Sequence, residues 1–266
     1  MSLNTSSILK PRAVIENYDA DFKTTLHSMD LDKIFERVIK LDVQKEILKN
    51  ALFSPKPVHL IFIGPAGTGK SLLLKCVYDA FQSISHWSDA QTSSGIGVIE
   101  SILLKGKMLR FLIVDELEKL DRDDLDVFLG LMAHGSINRE LAKRTIKETG
   151  FNVWFFATSN NLRSLQRRSA PLVNRCSIVE VPALAYNDYL FVSGKRLLQE
   201  QGIETEELGR YIASRVYHDF GTTDMRLAVR LANFSMGYIR RKKQEEITKD
   251  IIDKVAGDFK RVIFRI

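Results

Sequence analysis

Residues 64–71, with the sequence GPAGTGKS, restrict what this chain can fold into more than any other segment. They match the pattern G-x-x-x-x-G-K-[ST] at every fixed position. Glycines let the backbone turn tightly, so that N–H groups point inward and can cradle the phosphates of a nucleotide. In such a loop the lysine, here Lys70, reaches the β- and γ-phosphates, and the hydroxyl of Ser71 is offered to Mg²⁺. The predicted phosphate-binding residues are therefore Gly64, Pro65, Ala66, Gly67, Thr68, Gly69, Lys70 and Ser71.

The segments around this loop indicate a layered α/β domain. The apolar run of residues 58–64 is typical of a central strand in a parallel sheet, and residues 70–82 return to helical spacing. Helical stretches separate this run from three further strand candidates, at residues 111–116, 152–160 and 176–181. Strands that alternate with helices predict a parallel sheet with helices on both faces, which is the three-layer α/β/α architecture of P-loop NTPases.

After Pro182 the pattern changes to helices alone. Three helix starts are predicted at candidate N-caps, Asn187, Thr205 and Asp224. A fourth helix is predicted from apolar residues at four-residue spacing, Ile247, Ile251, Val255 and Phe259. Helical spacing between Asp30 and Phe53 predicts one or two helices ahead of the first strand. We therefore expect an N-terminal arm, an α/β core and a small all-helical domain, at residues 1–29, 30–184 and 185–266.

Asp115 and Glu116 follow the apolar run of residues 111–114 and supply a second chemical signal. Because ligands bind at the rim formed by the C-terminal ends of parallel strands, these carboxylates are predicted to belong to the nucleotide site. Asp115 is placed to hold the water shell of Mg²⁺, and Glu116 to polarise the attacking water as a general base. Asn160, at the end of another apolar run, is placed to orient that water or to touch the γ-phosphate, or else forms an ordinary turn.

The composition argues against several other classes of protein. The two cysteines, Cys76 and Cys176, are far apart and lack metal-ligand spacing, so we expect reduced thiols. No apolar run is long enough to span a bilayer, and the first residues are too polar for a signal peptide, which predicts a cytoplasmic protein without a membrane partner. The formal net charge of +6 permits an anionic partner such as nucleic acid without requiring one.

The phosphate loop, the Asp-Glu strand end, the Asn strand end and the helical domain resemble the AAA+ ATPases in order and spacing, over residues 30–260. The resemblance implies that ATP lies at the junction of the core and the helical domain, which is a lid in that family. It also implies a homo-oligomer, a hexameric or partial ring in which a neighbour completes each site. Asn160 matches the sensor 1 position, and Val38 and Ile39 match the region that packs on adenine.

The same resemblance assigns roles to arginines. Arg175 precedes the last predicted strand, where the family commonly places an arginine finger that stabilises γ-phosphate charge in the neighbouring site. Arg167 and Arg168 are rival candidates for that role. Arg226 matches the sensor 2 position, from which it would contact the γ-phosphate within its own subunit and couple the lid to nucleotide state.

Two segments look like the branch of this family that contains the MCM helicases, the MoxR-type ATPases and dynein-like motors, with RuvB-like motors as neighbours. Residues 92–97 and the basic residues from Arg139 to Lys147 lie where that branch inserts loops facing the ring's pore. The basic segment is interpreted either as contacting a DNA backbone or as a solvated turn, since Glu140 and Glu148 are interleaved. We expect an ATPase motor that acts on DNA, with a protein-remodelling chaperone as first alternative and a nucleotide-dependent switch or scaffold as second.

Overall fold

The computed structural model describes residues 22, 24, 26–92, 95–141 and 144–263. These residues form two compact units. The first consists of the described residues up to Ile63 together with Ser71–Glu180, and the second of Gly64–Lys70 together with those from Val181 onward. Most of the predicted arm at residues 1–29, part of the segment 92–97, and Lys143 of the basic segment lie outside the described residues. The three-part division of the chain stays a prediction.

The first unit is built around parallel strands. Its helices are α1 (Leu31–Ile34), α2 (Asp42–Leu52), α3 (Lys70–Ala80, which begins at the end of the phosphate loop), α4 (Gly95–Lys105), α5 (Arg122–His134) and α6 (Leu162–Val173). Its strands are β1 (His59–Ile63), β2 (Ser85–Asp89), β3 (Phe111–Asp115), β4 (Ile137–Leu141), β5 (Arg144–Glu148), β6 (Trp154–Ser159) and β7 (Ser177–Glu180). Five strands form a sheet in the order β2-β3-β6-β1-β7, in which every neighbouring pair is parallel, while β4 and β5 form a separate antiparallel hairpin.

The middle of the sheet is covered on both faces. Every residue of β6 is buried, as are residues 111–114 of β3, because the strands are apolar at successive positions rather than at alternate ones. The ring of Phe111 packs at a tilt against those of Phe81 and Trp154, and the indole Nε1 of Trp154 donates a 2.9 Å hydrogen bond to the carbonyl of Ala51 at the end of α2. The predicted parallel sheet flanked by helices, followed by a helical region, is confirmed.

The first unit contains two features that the sequence did not predict. One is the edge strand β2, and the other is the antiparallel pairing of β4 and β5 in the basic segment after α5. The one or two helices predicted between Asp30 and Phe53 are α1 and α2, which residues 35–41 separate. Lys40 and Leu41 have φ angles of 67° and 63°, which a right-handed helix cannot contain.

The helices of the second unit pack around an apolar cluster of their own. They are α7 (Tyr186–Gln201), α8 (Glu206–Phe220), α9 (Met225–Lys242) and α10 (Lys249–Ile263). Thr205 and Asp224 cap α8 and α9 as predicted, because their side chains accept hydrogen bonds from Leu208 N and Arg226 N. The predicted cap at Asn187 is wrong, since α7 begins one residue earlier and Asn187 lies within its first turn.

Candidate nucleotide site

The phosphate loop, Gly64–Lys70, connects β1 to α3 and is held by its own hydrogen bonds. The ammonium of Lys70 donates to the carbonyls of Gly64 and Pro65 at 2.7 and 2.6 Å, and its side chain is buried. The hydroxyl of Thr68 donates to the carbonyl of Pro65 at 3.0 Å. These contacts keep the positive charge of Lys70 inside the loop. The two carbonyl oxygens accept hydrogen bonds from the ammonium group, which could otherwise donate them to an anion.

Ser71 and Asp115 meet in the first unit, at the start of α3 and the end of β3. The Ser71 hydroxyl donates a 2.8 Å hydrogen bond to Asp115 Oδ1, which also accepts a hydrogen bond from the Thr158 hydroxyl. Thr158 lies at the end of β6, and its oxygen in turn accepts a 3.0 Å hydrogen bond from the backbone N–H of Glu116. The side chain of Thr158 therefore ties the two predicted acidic residues to the neighbouring strand.

Glu116 and Asn160 are fixed by two residues that the sequence did not single out. Glu116 has a left-handed backbone, with φ at 54°, and its carboxylate accepts a hydrogen bond from the side-chain amide of Gln91. The backbone N–H of Asn160 donates a 3.0 Å hydrogen bond to Oε1 of the buried Glu118. Asn160 is exposed and lies directly after β6. The residue pairs Ser71–Asp115 and Glu118–Asn160 thus form a polar rim at the carboxyl ends of β3 and β6.

The three arginine-finger candidates differ in their surroundings. Arg175 is exposed after α6, and its Nη1 donates a 3.1 Å hydrogen bond to the carbonyl of Pro171. Arg168 is held in place by a 2.8 Å hydrogen bond from Nη1 to the carbonyl of Leu120. Arg167 is exposed on α6. Arg168 and Arg175 are therefore each hydrogen-bonded to one backbone carbonyl, Arg168 to a residue 48 positions away and Arg175 to one within the preceding helix.

Arg226 lies in the first turn of α9 and pairs with the residue that caps this helix. Its Nε and Nη2 donate to Asp224 Oδ1 and Oδ2 at 3.2 and 3.1 Å. The side chain of Arg226 is 58% exposed. The predicted sensor 2 arginine is thus already engaged by a carboxylate of its own helix.

Val38 and Ile39, the predicted adenine-contacting residues, follow α1 in the first unit. The amide of Val38 donates a 2.9 Å hydrogen bond to the carbonyl of Phe35, so that the chain makes a tight turn here. Val38 is 3% exposed and belongs to the core, whereas Ile39 is half-buried. Ile39 consequently offers more accessible apolar surface than Val38.

Solved structures share this fold. A RuvB variant from Thermotoga maritima matches with a TM-score of 0.64 at 19% identity, over 87% of this chain and 72% of that one. The ADP form of ORC2 from Aeropyrum pernix matches with a TM-score of 0.59 at 14% identity, over 85% and 72%. This chain has the AAA+ ATPase fold. NtrX from Brucella abortus, solved in complex with ADP, also matches this chain, with a TM-score of 0.57 at 17% identity, over 90% of this chain and 59% of that one.

Sequence comparison places the chain near a much longer protein. It is 29% identical over 177 residues to the peroxisomal Lon protease homolog 2 of Kluyveromyces lactis, a match that covers 55% of this chain. The matched region spans only 17% of that Lon protein's length. No family model matches the chain. Within the described residues, no helix is both long and apolar enough to cross a membrane.

Proposed function

We propose that this AAA+ chain binds ATP through residues 64–71 and hydrolyses it, working as a ring-forming motor. The observation that carries the proposal is the hydrogen-bonded set of Ser71, Asp115 and Thr158 at the carboxyl ends of neighbouring parallel strands. Ligands bind at this edge of open α/β sheets. Ser71 is also the last residue of a complete phosphate-loop sequence, residues 64–71. The ADP-bound states of the structurally similar ORC2 and NtrX support the same interpretation.

Ser71 and Asp115 fit the requirements of Mg²⁺. This ion prefers oxygen ligands and is usually held by one or two carboxylates together with substrate phosphates, rather than by an all-protein cage. The pair offers a hydroxyl and a carboxylate oxygen that are 2.8 Å apart. Nowhere in the described ranges do three or more His, Cys, Asp or Glu side chains form a cage that could hold a metal by themselves. We assign Ser71 and Asp115 to Mg²⁺, which, when bound, neutralises charge on the β- and γ-phosphates.

The remaining roles follow from the chemistry of each side chain. Lys70 exchanges its bonds to loop carbonyls for bonds to the β- and γ-phosphates. Glu116 polarises the attacking water as general base, and Asn160 orients that water. Arg226 contacts the γ-phosphate in cis and couples the helical domain to the nucleotide state.

Two substitutions test the ATPase itself. Lys70→Ala should weaken ATP binding by at least about a hundredfold, because a charge-assisted contact to phosphate is lost. Lys75→Ala is the matched control, since Lys75 lies on the same helix and pairs with Asp79 instead. Glu116→Gln should retain ATP affinity and lower turnover about 10²- to 10⁴-fold, the usual contribution of a general base. Equal ATP affinity in the Lys70 and Lys75 variants would refute the loop assignment.

The arginine finger is tested by assembly. Arg175→Ala should spare ATP binding but lower turnover in assembled rings, whereas Arg168→Ala should act mainly on stability because Arg168 anchors the Leu120 carbonyl. Turnover per subunit should rise with protein concentration if a neighbour completes the site. If turnover per subunit did not depend on protein concentration and was the same in the Arg175→Ala variant, Arg175 would not be an arginine finger for a neighbouring subunit.

DNA is the substrate we propose first. One of the structures that share the fold is described as the Holliday junction branch migration motor RuvB of Thermotoga maritima, with a TM-score of 0.54. The hairpin β4–β5 contains Arg139, Arg144 and Lys147, which suit a phosphate backbone. Single-stranded, duplex and branched DNA should then stimulate ATP turnover, and the stimulation should fall steeply with salt. If none of the three DNA forms changed ATP turnover, DNA would be excluded as the substrate.

A protein substrate is the second candidate, supported by the sequence match to a Lon protease homolog. An unfolded model protein such as casein should then stimulate ATP turnover at salt concentrations that abolish DNA stimulation. A chain that binds ATP but turns it over at the rate of its Glu116→Gln variant would instead be a nucleotide-dependent switch.

A further inference from the structure

The carboxylate of Asp224 lies against the phosphate loop at Gly67. Gly67 has a φ angle of +79°, and a Cβ atom built on it would lie 2.2 Å from Asp224 Oδ1 and 2.8 Å from its Cγ. Both residues belong to the second unit. A negative side chain therefore contacts the segment whose inward N–H groups are proposed to receive phosphate.

Asp224 also accepts hydrogen bonds from three donor atoms of Arg226, which are the backbone N, Nε and Nη2. Oδ1 accepts from the backbone N–H of Arg226 at 2.9 Å, and both carboxylate oxygens accept from the guanidinium. Thr222 steadies this arrangement, because its hydroxyl accepts a 3.2 Å hydrogen bond from the backbone N–H of Asp224. The carboxylate of Asp224 is 23% exposed, so its pairing with Arg226 is partly shielded from water.

We infer that Asp224 is a specificity-determining residue: it restrains Arg226 until a γ-phosphate takes the guanidinium, and its charge repels phosphates from the loop, so that it lowers the affinity for ATP more than the affinity for ADP. The inference rests on the proposed ATPase function. A γ-phosphate offers Arg226 a bidentate partner of higher charge than a carboxylate, so it can draw the guanidinium away from Asp224. A diphosphate lacks that group and leaves the Asp224–Arg226 pair in place. The free energy needed to separate the pair is therefore a threshold that ATP binding must cross and that ADP binding does not meet.

The decisive substitution is Asp224→Asn, which removes the charge and keeps a good helix cap. We expect ATP affinity to rise about tenfold and ADP affinity by no more than about threefold, since Coulomb effects of this size are typical of partly exposed pairs. Asp224→Ser is the second variant, because serine also caps helices without a charge. Asp258→Asn is the matched control, as Asp258 is an exposed acid of the same unit on α10 and faces Arg261.

A double-mutant cycle separates the threshold from simple repulsion. In an Arg226→Ala background, Asp224→Asn should raise ATP and ADP affinity by the same small factor, because no guanidinium remains to be released. Binding is measured by calorimetry with ATP or ADP at fixed salt, and the thermal midpoint of Asp224→Asn should stay within a few degrees of the wild type.

Two results would overturn the inference. Unchanged or weaker ATP affinity in both Asp224 variants would show that the carboxylate merely caps α9 or holds Arg226 in a productive pose. Equal gains for ATP and ADP in the single variant would show repulsion without a threshold. If the wild type binds ATP through Lys70 and these results follow, the inference alone fails; if the wild type does not bind ATP at all, the proposed function fails with it.

Discussion

The backbone N–H of Asn160 donates a 3.0 Å hydrogen bond to Oε1 of Glu118, and this bond fixes the chain where it leaves β6. Glu118 is 7% exposed, and its second oxygen, Oε2, has no hydrogen-bond partner among the described residues. Burying a carboxyl group with a hydrogen bond to only one of its oxygens costs free energy, so its presence points to a positioning or a chemical role. We therefore expect Glu118 to act through Asn160 rather than on the substrate.

Substitutions of Glu118 test whether stability and ATP turnover depend on its acceptor oxygen or on its charge. Glu118→Gln keeps a carbonyl oxygen for Asn160 N–H and removes a buried charge, so stability and ATP turnover should stay near the wild type. Glu118→Ala removes the acceptor and buried methylene groups, and should cost about 1–3 kcal/mol of unfolding free energy and lower turnover more than ATP affinity. Urea unfolding and steady-state kinetics measure both effects. A Gln variant as damaged as the Ala variant would show that the charge matters instead.

Thr158 should be as important as the acidic residues it connects. Thr158→Val preserves its shape but leaves Glu116 N–H and Asp115 without the hydroxyl, which should cost about 1–3 kcal/mol and lower ATP turnover. Thr158→Ser keeps the hydroxyl and removes a buried methyl group, so it should cost about 1 kcal/mol and retain most turnover. If Ser and Val variants lost turnover equally, packing rather than hydrogen bonding would explain the role of Thr158.

The sequence allowed the central strands and the phosphate loop to be predicted because each has a strong local signal. β1, β3 and β6 are apolar at consecutive positions, which only a doubly covered strand tolerates, and the loop follows a pattern set by phosphate chemistry. The caps Thr205 and Asp224 were predictable for the same reason, since side chain and orphan N–H groups lie within three residues of each other.

Other features depend on partners that are distant in sequence. β2 has the sequence SHWSD, and Ser85 and Ser88 are buried against β3, a neighbour that no local periodicity identifies. The roles of Thr158 and Glu118 arise from bonds to residues 42 or 43 positions away along the chain. Only the polar residues at the end of the apolar run in β6 could have drawn attention to Thr158 beforehand.

Alkaline pH should destabilise the fold partly through Cys176. Burial raises the pKa of its thiol from an ordinary value of 9.0 to about 12. The folded state therefore holds this proton more tightly than the unfolded state, so the stabilisation is complete below pH 9 and is lost as pH rises toward 12. Between pH 8 and pH 10, wild type should lose about 1 kcal/mol more than Cys176→Ala, measured as the difference in urea unfolding free energy. Parallel pH profiles for the two proteins would contradict this prediction.

Gly135, which directly follows α5, should tolerate a side chain poorly. Its φ is +56°, and a Cβ there would lie 2.2 Å from the carbonyl oxygen of Phe151, whose N–H donates to the Gly135 carbonyl at 2.9 Å. Gly135→Ala should therefore cost about 3 kcal/mol, from left-handed strain plus a backbone clash. Gly106→Ala is the matched control: Gly106 has the same φ of +56° in the same unit, but no atom lies within 4 Å of its added Cβ, so strain alone should cost about 1 kcal/mol. Urea unfolding midpoints of the two variants measure the difference, and equal losses would show that the approach of Phe151 relaxes freely.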